Sequence, residues 1–139
     1  ICPDTDSDQP FVAPDGMEVI KSVNLSPTAR PQSSAPLTQS GLYVFRTFEI
    51  DRENIIAAVD LSTRGWLYFE DQTDFAAQPI ALFEVALDSS SYLLLITWYR
   101  DFRSLERSRE PDPEATKNFA ARQKLTHSTL AIATRLWGE

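Results

Sequence analysis

The stretch Tyr92-Leu93-Leu94-Leu95-Ile96-Thr97-Trp98-Tyr99-Arg100-Asp101-Phe102-Arg103-Ser104-Leu105 constrains the fold more than any other part of the chain. Its first half is an apolar run of strand length, rich in residues that suit a pleated surface. Asp101 then supplies an N-cap, and Phe102 and Leu105 follow one helical turn apart. A strand therefore passes directly into a helix. Both faces of that strand are apolar, because Tyr92, Leu94, Ile96 and Trp98 alternate with Leu93, Leu95, Thr97 and Tyr99. Such a strand sits in the middle of a sheet and needs cover above and below.

The flanking segments complete an architecture. Leu42 to Ile50 is rich in aromatic and β-branched residues and predicts a strand. Asp51 offers an N-cap there, with Ile50 and Ile55 as a hydrophobic staple. The helix that follows carries Ile55, Val59, Ser62 and Trp66 at turn spacing. Gly65 lowers its propensity by about 1 kcal/mol and marks a bend or break, and the acidic residues Glu70 to Asp74 end it. Pro79 to Leu87 predicts a second strand, joined by the polar turn Asp88 to Ser91 to the central strand. After Asp101 a helix runs through Phe102, Leu105 and Arg109 until Pro111-Asp112-Pro113 interrupts it. Asp112 recaps, and Glu114 to Leu125 continues with Ala115, Phe119 and Arg122 at helical steps. Thr129 to Trp137 alternates as a last strand. The order is that of an α+β, ferredoxin-like βαββαβ antiparallel sheet with helices on one face. One helical layer leaves the second apolar face open. The expected cover is another copy of the chain across a two-fold axis, with the N-terminal arm as the alternative.

Residues 1–40 differ in character from residues 41–139. Six of the nine prolines lie in the first 36 residues, among Ser, Thr, Asp and Gln. This arm reads as irregular, with one short strand over 17–23 after the Pro14-Asp15-Gly16 turn and a linker from Pro27 to Ser40. A disordered leader and an arm packed on the domain or a partner both fit that composition.

With 139 residues, 42% hydrophobic and 24% charged, the chain is expected to form one globular domain. A net charge of −7 disfavours nucleic acid and anionic membrane surfaces as partners. No apolar run approaches the roughly 20 residues of a membrane span, and the sequence opens on no basic-then-apolar signal segment. A cytoplasmic location is expected. Cys2 is the single cysteine, so it forms no internal disulfide, and no Cys/His cluster offers a metal site. Cys2 reads as an incidental thiol rather than a lipidation site.

With these elements in place, residues 41–137 resemble the antibiotic-biosynthesis-monooxygenase family of the dimeric α/β-barrel superfamily. The strand Tyr43–Ile50 and Arg64-Gly65-Trp66 near the first helix's end carry part of the likeness. Phe75 falls where the family often has a Gly-Phe pair. The strongest match is Leu94-Leu95-Ile96-Thr97-Trp98-Tyr99-Arg100-Asp101 with Leu105, similar to the family's third strand, whose terminal Trp precedes an Asp or Ser and a helix with Leu. The resemblance implies a homodimer that oxidises electron-rich phenolic or anthrone-like polyketides without metal, flavin or other cofactor. Asp74 stands where the Gly of the pair would be. Ser108 and Arg109 occupy the region where many members carry a His, the iron ligand of the haem-degrading branch, so the resemblance does not extend to haem. The resemblance also extends to members with no known enzyme activity. The alternative is therefore a non-catalytic dimeric module that binds a hydrophobic ligand or a protein.

Oxidation of that kind needs an apolar pocket, a group that handles a proton, and donors for a developing oxyanion. Trp66 and Trp98, each at the end of an element, are the first candidates to bind an aromatic small molecule. Phe45, Tyr43, Tyr99 and Phe83 follow; all six also suit core or interface packing. Arg46 lies within an apolar strand, in phase with Val44 and Phe48. A buried Arg must find a carboxylate or an anion. Glu84 on the neighbouring strand would serve structurally, and a substrate enolate or phenolate would serve catalytically. His127, the single histidine, is a candidate general base or an exposed loop residue. Arg100, Arg103, Arg107 and Arg109, interleaved with Asp101, Glu106 and Glu110, form a solvated, salt-bridged face. No Gly-rich phosphate loop, Cys nucleophile arrangement or serine triad occurs.

Overall fold

The computed structural model describes residues 13–87 and 90–135; Cys2, Trp137 and the Asp88-Ser89 part of the turn lie outside them. Its elements are β1 (Ser26–Arg30), β2 (Leu42–Ile50), α1 (Ile55–Asp71), β3 (Ala77–Ala86), β4 (Ser91–Tyr99), α2 (Phe102–Arg107), α3 (Pro113–Gln123) and β5 (Thr126–Arg135). The strands form one antiparallel sheet in the order β1-β3-β4-β2-β5. From β2 onward this is the ferredoxin-like βαββαβ fold, with its second helix divided and β1 added at the β3 edge.

β4 is central, as its two apolar faces require. It pairs with β2 from Leu42↔Tyr99 to Ile50↔Ser91 and with β3 on its other side. On the inner face Leu42, Val44, Phe48, Ile50, Leu93, Leu95 and Tyr99 are buried in the same clusters as Ile55, Ala58, Trp66 and Phe69 of α1 and Ala115 of α3. On the outer face Tyr43, Ala81, Phe83 and Ile96 form a separate buried cluster, against which Leu25 of the arm packs. Two bonds tie the arm's end there: Tyr43 Oη donates to the Gln39 carbonyl at 2.6 Å, and Trp98 Nε1–H donates to the Ser40 carbonyl at 3.0 Å. The arm thus supplies part of the cover for the second face.

The caps follow the sequence in two places. The Asp101 carboxylate accepts from the Ser104 amide at 2.7 Å and from its hydroxyl at 2.8 Å, and these bonds hold its pKa below the usual carboxylate value. Asp112 accepts from the Glu114 amide at 2.8 Å with Pro113 at the first helical position.

Three expectations need correction. Residues 17–23 form no strand; Met17 and Ile20 are 71% and 96% exposed. The strand forms instead at Ser26–Arg30, inside the expected linker, because the free edge of β3 accepts it there. Thr28 Oγ1 donates to the Leu82 carbonyl at 2.6 Å, and an edge strand tolerates Pro27. Asp51 does not cap α1, which starts one 3₁₀ turn later at Ile55; the Asp51 side chain is drawn off by His127. Gly65 does not break α1, which runs on to Asp71. A Cβ there would overlap the ring of Phe119, so Gly65 is the point of closest approach between α1 and α3.

Candidate functional site

The helix-facing side of β5 presents small side chains. Ala131 lies beside Arg46 and Ala133 beside Val44 in the β2–β5 register. Methyl groups there cannot fill the space reached by the larger residues of β2 and β4, and a cleft of about 440 Å³ remains between the sheet and the helices. That is within the size range of small-molecule sites. Its apolar walls include Trp66 and Phe69 of α1, Leu105 of α2, Phe119 of α3, and Val44 and Leu95 of the sheet. Ala131 and Ala133 are exposed, so the cleft opens along β5.

Into this apolar space come two cations that have no counter-ion among the described residues. Arg46, half-buried, donates a long hydrogen bond of 3.4 Å from Nη2 to Tyr99 Oη. Among the described residues no carboxylate forms an ion pair with it. Glu84 is not its partner. β4 separates β2 from β3, which places the two strands about 9–10 Å apart.

Arg122 of α3 is the second cation and is 8% exposed. Its Nη1 donates to Ser62 Oγ at 3.1 Å, and Ser62 in turn donates to the Ala58 carbonyl at 2.7 Å. Its guanidinium lies 4.6 Å from the Phe48 ring centre and 5.2 Å from that of Phe119. Its Nε–H is buried and has no partner among the described residues. Burial foremost, and then the positive charge of Arg46, lower the Arg122 pKa to about 10. Arg109 also lines the cleft, but Glu106 holds it at 3.2 Å.

Trp66 is held from the arm. The Arg30 guanidinium sits 4.8 Å from the centre of its ring and is fixed by Glu70 at 2.5 and 2.9 Å and by the Pro79 carbonyl at 2.6 Å. The Glu70 bond raises the Arg30 pKa. β1 therefore backs one wall of the cleft.

Of the residues singled out in the sequence, Arg46, Trp66 and Tyr99 meet in the cleft, with Thr97 beside them. Tyr43, Phe45, Phe83 and Trp98 do not; all four belong to the outer-face cluster. Strand alternation is the reason, since neighbours such as Trp98 and Tyr99 must point to opposite faces. His127 lies at the start of β5, exposed and outside the cleft lining, with Nε2 at 3.0 Å from the Asp51 carboxylate. That bond raises its pKa. Arg122 is the site residue that sequence reasoning passed over. Its signal was present: a cation on the Ala115–Phe119 stripe, where an apolar side chain was due.

Fold and cleft together define an α+β ferredoxin-like protein with a ligand-sized space between helices and sheet. Solved structures of the same fold include a NIPSNAP domain protein from Burkholderia xenovorans, 12% identical with a TM-score of 0.55, matched over 67% of this chain and 91% of that one. A candidate antibiotic biosynthesis monooxygenase from Caulobacter crescentus is 8% identical with a TM-score of 0.54, over 72% of this chain and 92% of that one. A ferredoxin-fold protein related to antibiotic biosynthesis monooxygenases from Listeria monocytogenes is 14% identical with a TM-score of 0.53, over 89% of this chain and 71% of that one. No family model and no curated protein matches the sequence. The chain has the fold of the antibiotic-biosynthesis-monooxygenase-like and NIPSNAP proteins. Among the described residues no helix is long and apolar enough to cross a membrane.

Proposed function

We propose that the chain is an oxygen-consuming enzyme that oxidises an electron-rich phenolic or enolic aromatic in the cleft, with no bound cofactor. The observation that supports this is the unpaired Arg46 guanidinium in a ligand-sized, largely apolar space. A deprotonated aromatic donates an electron to O₂ directly, so the protein's task is to bind the ring and favour the oxyanion. Arg46 holds that oxygen, Tyr99 orients Arg46, and Trp66 with Phe69 and Phe119 sandwiches the ring. For an anthrone, the methylene loses two C–H bonds and gains a C=O. One atom of O₂ enters the product, the other leaves as water, and the substrate supplies the four electrons. The test is oxygen uptake with a hydroxylated anthrone. Wild type is expected to exceed background, Arg46→Ala to lose about 100-fold or more in kcat/KM as for removal of an oxyanion donor, and Trp66→Phe to lose less. Background rates for all three proteins would overturn the proposal and leave the non-catalytic binding module.

The same reading assigns the β5 half of the outer face to a second copy of the chain. Leu130 and Ile132 there are 61% and 54% exposed and flank Phe45, beyond the part of the sheet that Leu25 covers. Contiguous apolar surface of this kind marks an interface. Sedimentation equilibrium is expected to give twice the chain mass for wild type and the chain mass for Ile132→Glu. A monomeric wild type would remove the dimer.

A further inference from the structure

Arg122 is not explained by oxyanion stabilisation alone. It is buried deeper than Arg46, its Nε–H is orphaned, and no carboxylate among the described residues neutralises it. A buried cation left beside a second cation is unfavourable on two counts: lost hydration and like-charge repulsion. Buried charges are ordinarily paired, so a counter-ion from outside the chain would complete this one beside its contacts to Ser62, Phe48 and Phe119. The surroundings say what that is. With Nη1 taken by Ser62, the guanidinium keeps a free Nε–H, one half of the planar fork that matches two carboxylate oxygens. The lining holds no lysine and is dominated by aromatic and aliphatic walls. Those walls suit an anion carried on a flat aromatic body, and the fork suits the two oxygens of a carboxylate.

We propose that Arg122 binds a carboxylate carried by the substrate, next to the phenolic oxygen held by Arg46, so that the substrate is an aromatic hydroxy acid. This rests on the cleft being the ligand site. Arg122 takes no part in the oxidation itself; it selects the acid and sets the ring's orientation against Trp66 and Phe119. Its charge, without a carboxylate among the described residues, is a cost that a bound acid relieves.

The probes are 1-hydroxy-2-naphthoate and 1-naphthol, which share a ring and differ by one carboxylate, measured by titration calorimetry. Wild type is expected to prefer the acid by about tenfold or more, the worth of one charge-assisted bond. Arg122→Met is expected to abolish that preference, so that it binds the acid and the naphthol with equal affinity. Without ligand, Arg122→Met is expected to melt at a higher temperature than wild type, since an unpaired buried charge is replaced by an apolar chain of similar length. A purely structural Arg would give the opposite shift. Arg122→Lys, charged but without the fork, is expected to fall between the two in acid preference. Equal binding of both probes by wild type, or an acid preference that survives in Arg122→Met, would overturn the proposal while the cleft stands as a ligand site. Lower melting or failure of Arg122→Met to fold would also overturn it. If neither probe binds wild type, the cleft reading falls as well.

Discussion

Gly41→Ala is expected to be the most damaging single-methyl substitution in the chain. Gly41 has φ +148°, a backbone region that residues with a Cβ reach only under strain of about 1–3 kcal/mol. Space is lacking too. An added Cβ would lie 2.6 Å from the Tyr99 carbonyl oxygen and overlap Trp98 Nε1. The carbonyl belongs to the central strand and cannot retreat, and the indole is already committed to Ser40. Overpacking of this kind adds about 1–3 kcal/mol, so the total approaches a large fraction of the ~5–15 kcal/mol that stabilises a typical domain. Urea unfolding should show a midpoint well below wild type with an unchanged slope. A loss under about 1 kcal/mol would mean that the arm's junction with β2 is free to move, against the tight approach described. Because the Tyr99 side chain lines the cleft, a folded fraction should also bind ligand more weakly.

Gly65→Ala is expected to spare the fold and close the site. The added Cβ would meet the Phe119 ring, 2.8 Å from Cδ1 and closer still to Cε1. A ring, unlike a backbone carbonyl, can rotate away, and the open volume beside it is the cleft that Phe119 lines. The helix gains about 1 kcal/mol from Ala in place of Gly. Moving the aromatic costs about 1–3 kcal/mol, so net stability should change by no more than about 2 kcal/mol. The aromatic probes, by contrast, should lose at least about tenfold in affinity, or 1.4 kcal/mol. Unaltered affinity with a normal melting curve would show that Phe119 yields in another direction and that Gly65 does not set the cleft's width.

The behaviour of these two glycines illustrates how differently sequence and structure speak. At Gly65 the sequence registers a weak helix former, and only the packed α1–α3 pair shows that the missing side chain is what admits Phe119. Asp101 is the opposite case. Its capping role is local, set within three residues, and was legible at once, as was the helix restart at Asp112-Pro113. Arg46 was legible because its strand alternates cleanly enough to phase it with Val44 and Phe48. Glu84, one of the two partners its sequence allowed, does not pair with it, because strand adjacency is a property of topology. The β3–β4 hairpin inserts β4 between them.

Trp98 shows the limit most sharply. β4 is apolar on both faces, so its pattern cannot say which face meets the helices. Trp98 and Tyr99 were equally good pocket residues until the helices were placed, and a one-residue difference in phase sent Tyr99 into the cleft and Trp98 against the arm. The strand Ser26–Arg30 escaped notice for a related reason. Its own residues are poor strand formers, and it exists because β3 offers a free edge and Glu70 a counter-charge for Arg30.

By itself, then, the sequence determined the order of elements, the central position of β4, the ferredoxin-like topology and the two working caps. All of these follow from interactions within a few residues or from periodicity along one element. The tertiary structure alone decided which face of the sheet is the cleft, that Arg122 joins Arg46 there, and that His127 stays outside. Those outcomes depend on where separate elements meet, and the hydrophobic effect that drives the meeting is non-directional. It makes both faces of β4 seek cover and carries no mark of which cover each receives.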